Sequence, residues 1–195
     1  MGRCGGRASR DLSTSKVIES SMQNDSLISP HGVGESAAAD HTIREATHAD
    51  TEALCAILAE SELSSHAVLA PGTRYWLAQR AGGDIAGVVG LEYGAAAVLL
   101  RSAAVRPDAR GRGIGTALVQ RALASAVADG IRSAYLFSTG AGAYWSQQGF
   151  REVPVPELVA ALPDAPQVQH YREHGWLASE VAWRKDLIDQ KGWVR

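Results

Sequence analysis

The chain has two cysteines, Cys4 and Cys55. Two are too few for a disulfide framework, and no C-x-x-C pair stands among them, so a disulfide-built fold and a C-x-x-C redox or zinc motif are excluded. This usage fits a reduced, cytoplasmic setting. The six histidines are scattered without metal-ligand spacing. His170 and His174 stand four apart on an expected helix, but no third ligand stands out, so they read as a solvated face and no metal is expected. No apolar stretch reaches the ~20 residues of a membrane span, and the N-terminus has no apolar segment of a secretion signal. A net charge of −2 gives no reason to expect a nucleic-acid or membrane partner.

What is present is ordinary globular material. A 46 % hydrophobic fraction in 195 residues allows one domain, with a core of adequate size for roughly 150 residues. Residues 1–40 differ from the rest. They are rich in Ser, Gly and Ala and short of large apolar side chains, so they bury too little surface to offset their ordering entropy. The early Arg3, Arg7 and Arg10 have a transit-peptide flavour. A disordered tail, or an upstream start with Met22 as the real initiator, fits the composition better. Met1-Gly2 invites a myristoylation reading, but Gly6 stands where that motif needs Ser or Thr. The domain is therefore expected over 41–188, with 189–195 as a second tail.

Along that domain, 42–46 reads as a strand, and Thr47 as the cap of a helix with Leu54, Ile57 and Leu58 on one face. A Ser-rich stretch with Pro71-Gly72 reads as a loop, with room for a second helix. Strands over 75–80 and 85–93 are joined by a turn at Gly82-Gly83-Asp84. A strand follows over 96–105, then a helix over 113–128 with Gly130 at its C-terminal end. A strand over 134–138, a short helix over 141–148, strands over 151–153 and 179–185, and two short helices between those last strands complete the chain. This order implies an α/β architecture with a mixed sheet.

The most informative run is Val105-Arg106-Pro107-Asp108-Ala109-Arg110-Gly111-Arg112-Gly113-Ile114-Gly115-Thr116. It is a glycine-rich turn between an apolar strand and a helical pattern. Its three glycines let backbone approach a ligand without Cβ interference. The helix start beyond offers free N–H groups and a partial positive charge, a site for phosphate oxygens. The turn has no Walker-type lysine, and its Gly111-x-Gly113-x-Gly115 spacing is not the dinucleotide fingerprint. An ordinary glycine-rich connection is the competing reading.

The pattern Arg110-x-x-Gly113-x-Gly115 after a strand ending Val105-x-Pro107 resembles the acetyl-CoA pyrophosphate loop of the GCN5-related N-acetyltransferases. The element order over 42–187 is similar to theirs too. The resemblance implies a mostly antiparallel mixed sheet with splayed middle strands, flanked by helices. It implies acetyl-CoA as co-substrate, held by Arg110, Gly111, Arg112, Gly113, Ile114, Gly115 and Thr116. The pantetheine arm would pair with backbone at Ala103, Ala104 and Val105, where an N–H would stabilise the oxyanion. The segments Gly90–Tyr93, Leu99–Val105, Tyr135–Thr139 and Tyr144–Phe150 resemble a narrower group, the arsenic-resistance N-acetyltransferases, and more distantly the N-acetylglutamate synthase type. A cysteine usual near that group's tail is absent, with Gly175-Trp176-Leu177 in its region.

Acyl transfer to an amine needs a route for the ammonium proton and a proton for the leaving thiolate. Glu92, at a strand end, is a candidate base if partial burial raises its pKa; the alternative is a solvated glutamate. Arg101 interrupts an apolar strand, where a charge is costly unless paired. It reads either as a bidentate clamp on an acceptor carboxylate or as a structural partner of Glu92 or another acid. At the family's usual tyrosine position stands Trp145, whose indole cannot protonate a thiolate. Tyr144, about 100° round the helix, is then the candidate acid, with solvent as the alternative and packing as the plain reading of both rings. The hydroxyls of Ser138 and Thr139 either bind acceptor or cap the next helix. The expected activity is N-acetylation of a small, amino-acid-like amine, which includes arsenic- or phosphorus-containing antimetabolites and hence a resistance role, with a homodimer allowed. Acetylation of a protein or peptide amine, and a non-catalytic acetyl-CoA-binding module, remain open.

Overall fold

The computed structural model describes residues 41–187. The two expected tails, with Arg3, Arg7, Arg10 and Met22, lie outside the described residues. The chain runs β1 (His41–Glu45), α1 (Thr51–Glu60), β2 (Thr73–Arg80), β3 (Ile85–Tyr93), β4 (Ala97–Val105), α2 (Ile114–Ala128), β5 (Ser133–Phe137), α3 (Gly142–Gln147), β6 (Arg151–Val153), α4 (Val155–Ala161), α5 (Pro166–Glu173) and β7 (Ala182–Asp186).

The strands form one seven-stranded sheet in the order β1-β2-β3-β4-β5-β7-β6. The β4–β5 pair is parallel and the others are antiparallel, which is the mixed, mostly antiparallel sheet expected. β3 and β4 are buried along nearly their whole length, as continuous apolar runs require when both faces are covered. One core cluster holds Leu118, Val119 and Ala122 of α2 and Leu54, Ile57 and Leu58 of α1 with the central strands. A second packs Leu158 of α4 and Val168 and Tyr171 of α5 against Leu99, Tyr135 and Phe137.

Two local expectations are corrected. Thr47 opens a 3₁₀ turn over His48–Asp50, ahead of α1. There its N–H and hydroxyl donate to Asp50 Oδ2 at 2.8 and 3.0 Å, and Arg44 grips the same carboxylate through both terminal nitrogens. The stretch 61–72 is the loop expected, and Glu62, Ala67 and Leu69 adopt positive φ in it. The last strand begins at Ala182, not Ser179, because Trp176–Ser179 coils into a 3₁₀ turn. No described helix is long and apolar enough to cross a membrane.

Candidate functional site

β4 touches β5 over three residues only, Ala97, Val98 and Leu99 opposite Ser133, Ala134 and Tyr135. From Leu100 to Val105 it stays on β3 and leaves β5. The cause is visible in the β3–β4 register, which slips between Val88 and Gly90. Ser102 takes up the slip at φ 54°, a bulge that bends the strand and strengthens its twist. β4 and β5 thus part beside Ala103, Ala104 and Val105, the splay of middle strands that the family resemblance implies.

The glycine-rich loop lies at the end of β4. Pro107–Ala109 make one 3₁₀ turn, and Gly111 and Gly113 both take positive φ, 71° and 73°. Gly113 is the N-cap of α2. The first α2 backbone bond that closes on it is Ala117 N–H to Gly113 O at 3.0 Å. The N–H groups of Ile114, Gly115 and Thr116 therefore precede any i−4 carbonyl within the helix. Among the described residues no side chain caps this end, and no acidic residue sits in the first turn. Among the described residues, nothing lies within 4 Å of where a Gly113 Cβ would be. Arg110 Nε donates to Val105 O at 3.1 Å, which fixes the loop to the strand, while Arg112 is exposed. The result is an electropositive helix start suited to an anion.

On the other face of β3 and β4 sits a buried polar group. Arg101 Nη1 donates to Glu92 Oε1, with side chains 4 % and 0 % exposed. Glu92 Oε2 accepts the Gln167 backbone N–H at 2.9 Å, so this carboxylate also caps the start of α5, where Pro166 lacks a donor. Arg101 further donates to Ser102 Oγ at 3.2 Å and to Ser64 O at 3.4 Å. Its guanidinium is held above the usual range: burial, the largest influence, lowers it, and Tyr75, Glu92 and Tyr171 together outweigh that. Tyr75 lies flat over Gly90, where an added Cβ would come within 2.6 Å of the ring, and its hydroxyl is buried with no hydrogen-bond partner among the described residues.

This geometry corrects two expectations. Glu92, expected as a partly buried base or else a solvated glutamate, is fully buried with both oxygens engaged, one by Arg101 and the other by the Gln167 N–H. Arg101 is not a free clamp, because it is the structural partner of Glu92, the alternative left open above. Gln167, Tyr75 and Ser64 were missed. For Gln167 a signal existed: proline at a helix start marks free N–H groups nearby that want an acceptor.

On α3, Tyr144 and Trp145 are both buried and meet edge to face at 4.9 Å. Trp145 also meets Phe150 in the same manner at 5.4 Å, and its indole N–H has no partner among the described residues. Trp145 is packing, as its plain reading held. Ser138 is buried, and its Oγ accepts Ala141 N–H at 3.4 Å, so it acts as a cap ahead of α3; Thr139 is exposed.

Residues 71–152 match the family profile described as an acetyltransferase (GNAT) domain. The fold is that of the GNAT acetyltransferases. A GNAT-family acetyltransferase from Staphylococcus aureus Mu50 superposes with a TM-score of 0.57 at 20 % identity, over 75 % of this chain and 99 % of that one. N-acetylglutamate synthase from Neisseria gonorrhoeae, complexed with coenzyme A and N-acetyl-glutamate, superposes at 0.60 and 21 % identity, over 75 % of this chain and 35 % of the synthase. A Mycobacterium tuberculosis protein in complex with CoA gives 0.59 at 16 % identity, over 75 % and 99 %. At these identities the likeness is one of GNAT fold. No curated protein matches the chain in sequence.

Proposed function

We propose that this chain is an acetyl-CoA-dependent N-acetyltransferase acting on the amino group of a small, amino-acid-like acceptor. The observation that carries this is the conjunction of the β4–β5 splay with the N-terminus of α2 at one end of β4. The splay supports an extended thioester arm beside Ala103–Val105, and the helix start supports its pyrophosphate at Arg110–Thr116. The synthase-like fold, with an amino-acid product in that relative, and the sequence likeness to the arsenic-resistance group support the acceptor class. Arsenic- or phosphorus-containing amino-acid analogues belong to it.

In the reaction the acceptor nitrogen attacks the thioester carbonyl carbon, the C–N bond forms, the C–S bond breaks, and CoA thiol leaves. A backbone N–H at the unpaired edge of β4 stabilises the oxyanion. Its value lies in being fixed before the charge develops. With Glu92 sealed, the ammonium proton passes to water. Tyr144 supplies the thiolate proton. The Glu92–Arg101 pair holds α5 and the 61–72 loop in place under the acceptor. Thiol release from acetyl-CoA against a panel of amino acids and their phosphinic and arsinic analogues tests this. Turnover with at least one such amine is expected. Calorimetric binding of acetyl-CoA without turnover on any amine in the panel would instead indicate a binding module.

A further inference from the structure

Away from the β4–β5 splay, the last turn of α5 gathers three groups that the acyl transfer does not use. His170, Glu173 and His174 place one ligand atom each within 4.8 Å of the others. Positions i, i+3 and i+4 share one helix face. The two histidines have the expected spacing, and Glu173 is the third ligand that the sequence did not single out.

Two details go beyond proximity. His174 Nδ1 lies 2.8 Å from His170 O. A carbonyl only accepts, so in the neutral ring Nδ1 carries the proton and Nε2 holds the lone pair. Metal-binding histidines are oriented in just this way, by donating the other ring N–H to a carbonyl or carboxylate. The His170 ring is fixed as well. It stacks on His66 from the 61–72 loop, with centroids 4.5 Å apart and planes 16° apart. The Trp176 ring stands across it at 88° and 5.3 Å. One imidazole is thus set by a hydrogen bond and the other by packing, while the exposed Glu173 already has a carboxylate oxygen within 4.8 Å of both.

We propose that His170, Glu173 and His174 form a site for a divalent transition-metal cation, with water completing the shell. Two imidazoles and one carboxylate suit zinc and its neighbours, not magnesium or calcium, which take oxygen ligands. This replaces the expectation of no metal. A cation there would tie down the end of α5 whose first turn rests on Glu92. It does not depend on the acyl-transfer reading, since metal uptake is read without turnover.

The test is calorimetric titration of ZnCl₂ into the full chain, free of any oligohistidine tag, with Co²⁺ absorption as a report on coordination. One cation per chain is expected, insensitive to excess Mg²⁺. His170→Ala, His174→Ala and Glu173→Gln should each weaken binding at least ~10-fold, the lower end of what loss of even an outer partner costs. Glu173 is exposed, so Glu173→Gln keeps the fold and its melting temperature whatever the histidine variants do. His66→Ala should bind within ~3-fold of wild type, as a stacking neighbour and not a ligand. Wild-type affinity in the His170→Ala/His174→Ala double variant, equal displacement by Mg²⁺, or no uptake at about millimolar Zn²⁺ would overturn the site. Loss in His66→Ala equal to that in His174→Ala would overturn this ligand set.

Discussion

Replacing Glu92 with Gln tests the central claim about the buried polar group. The exchange is nearly isosteric and leaves Arg101 charged, with side chains of the pair 4 % and 0 % exposed. The amide keeps one acceptor for two donors, Arg101 Nη1 and the Gln167 N–H, and turns its own N–H₂ toward whichever is left. Removing one partner of a buried pair costs about 3–5 kcal/mol, because the remaining charge is uncompensated. A domain of this size loses ~2–4 °C in Tm per kcal/mol, so the melting temperature should fall by roughly 6–20 °C. Urea melts read the loss in the midpoint at constant slope. Glu92→Leu combined with Arg101→Met should recover most of it, since apolar replacement of a whole pair is often neutral or better. Folded Glu92→Gln should transfer acetyl at close to the wild-type rate. A stability loss under about 1 kcal/mol, within the range of an exposed ion pair, would refute the reasoning. So would a rate loss of the ~10²–10⁴-fold that removal of a general base produces, which would return Glu92 to catalysis.

Gly113→Val puts a β-branched side chain at φ 73°, at a cost of about 1–2 kcal/mol, and into the space where an anion would sit; calorimetry should show acetyl-CoA binding abolished in a protein that still folds, and unchanged affinity would remove the loop from the site. Asp50 is held well below the usual carboxylate range, first by the Arg44 hydrogen bonds, with burial opposing and Thr47 assisting. A depressed folded pKa gives stability that is present above the unfolded value of about 4 and lost as pH falls through the folded one. The stability gap between wild type and Asp50→Asn, read by denaturant melts across pH, should therefore be constant near neutrality and close below about pH 4; a gap that persists at low pH would mean that Asp50 acts without its charge. Tyr144→Phe keeps the ring that meets Trp145 and should lower kcat by at least ~10-fold if the phenol protonates the thiolate, whereas an unchanged rate at every pH assigns that step to solvent.

The glycine loop was legible because its signals are local. Positive-φ glycines, a strand before and a helical period after occupy one short stretch, and no tertiary contact overrides them. The strand count and order were legible for the same reason. The pairing of Glu92 with Arg101 was not settled by sequence, because it depends on register. Gly90 faces Arg101 only since the Ser102 bulge shifts β4 by one residue, and a one-residue slip turns every side chain to the other face. The start of β7 was placed three residues early, because nothing local separates Ser179–Val181 from the strand that follows, whereas Ser179 closes a 3₁₀ turn whose Trp176 ring packs on His170 and His174.

The position of β7 between β5 and β6 sets an order on how the chain can come together during synthesis. β6 has emerged while its sole strand partner is still unmade, about 30 residues behind it at Ala182. Until then β5 also presents a bare edge where β7 will lie, and the apolar underside of α4 and α5 has only part of its floor. Half of the sheet, β1 to β4 with α1 and α2, consists of sequential neighbours and can assemble as it leaves the ribosome. The other half waits for one strand to be inserted last, and an interruption between Val153 and Ala182 leaves both β5 and β6 without that partner, each a template for pairing with another copy.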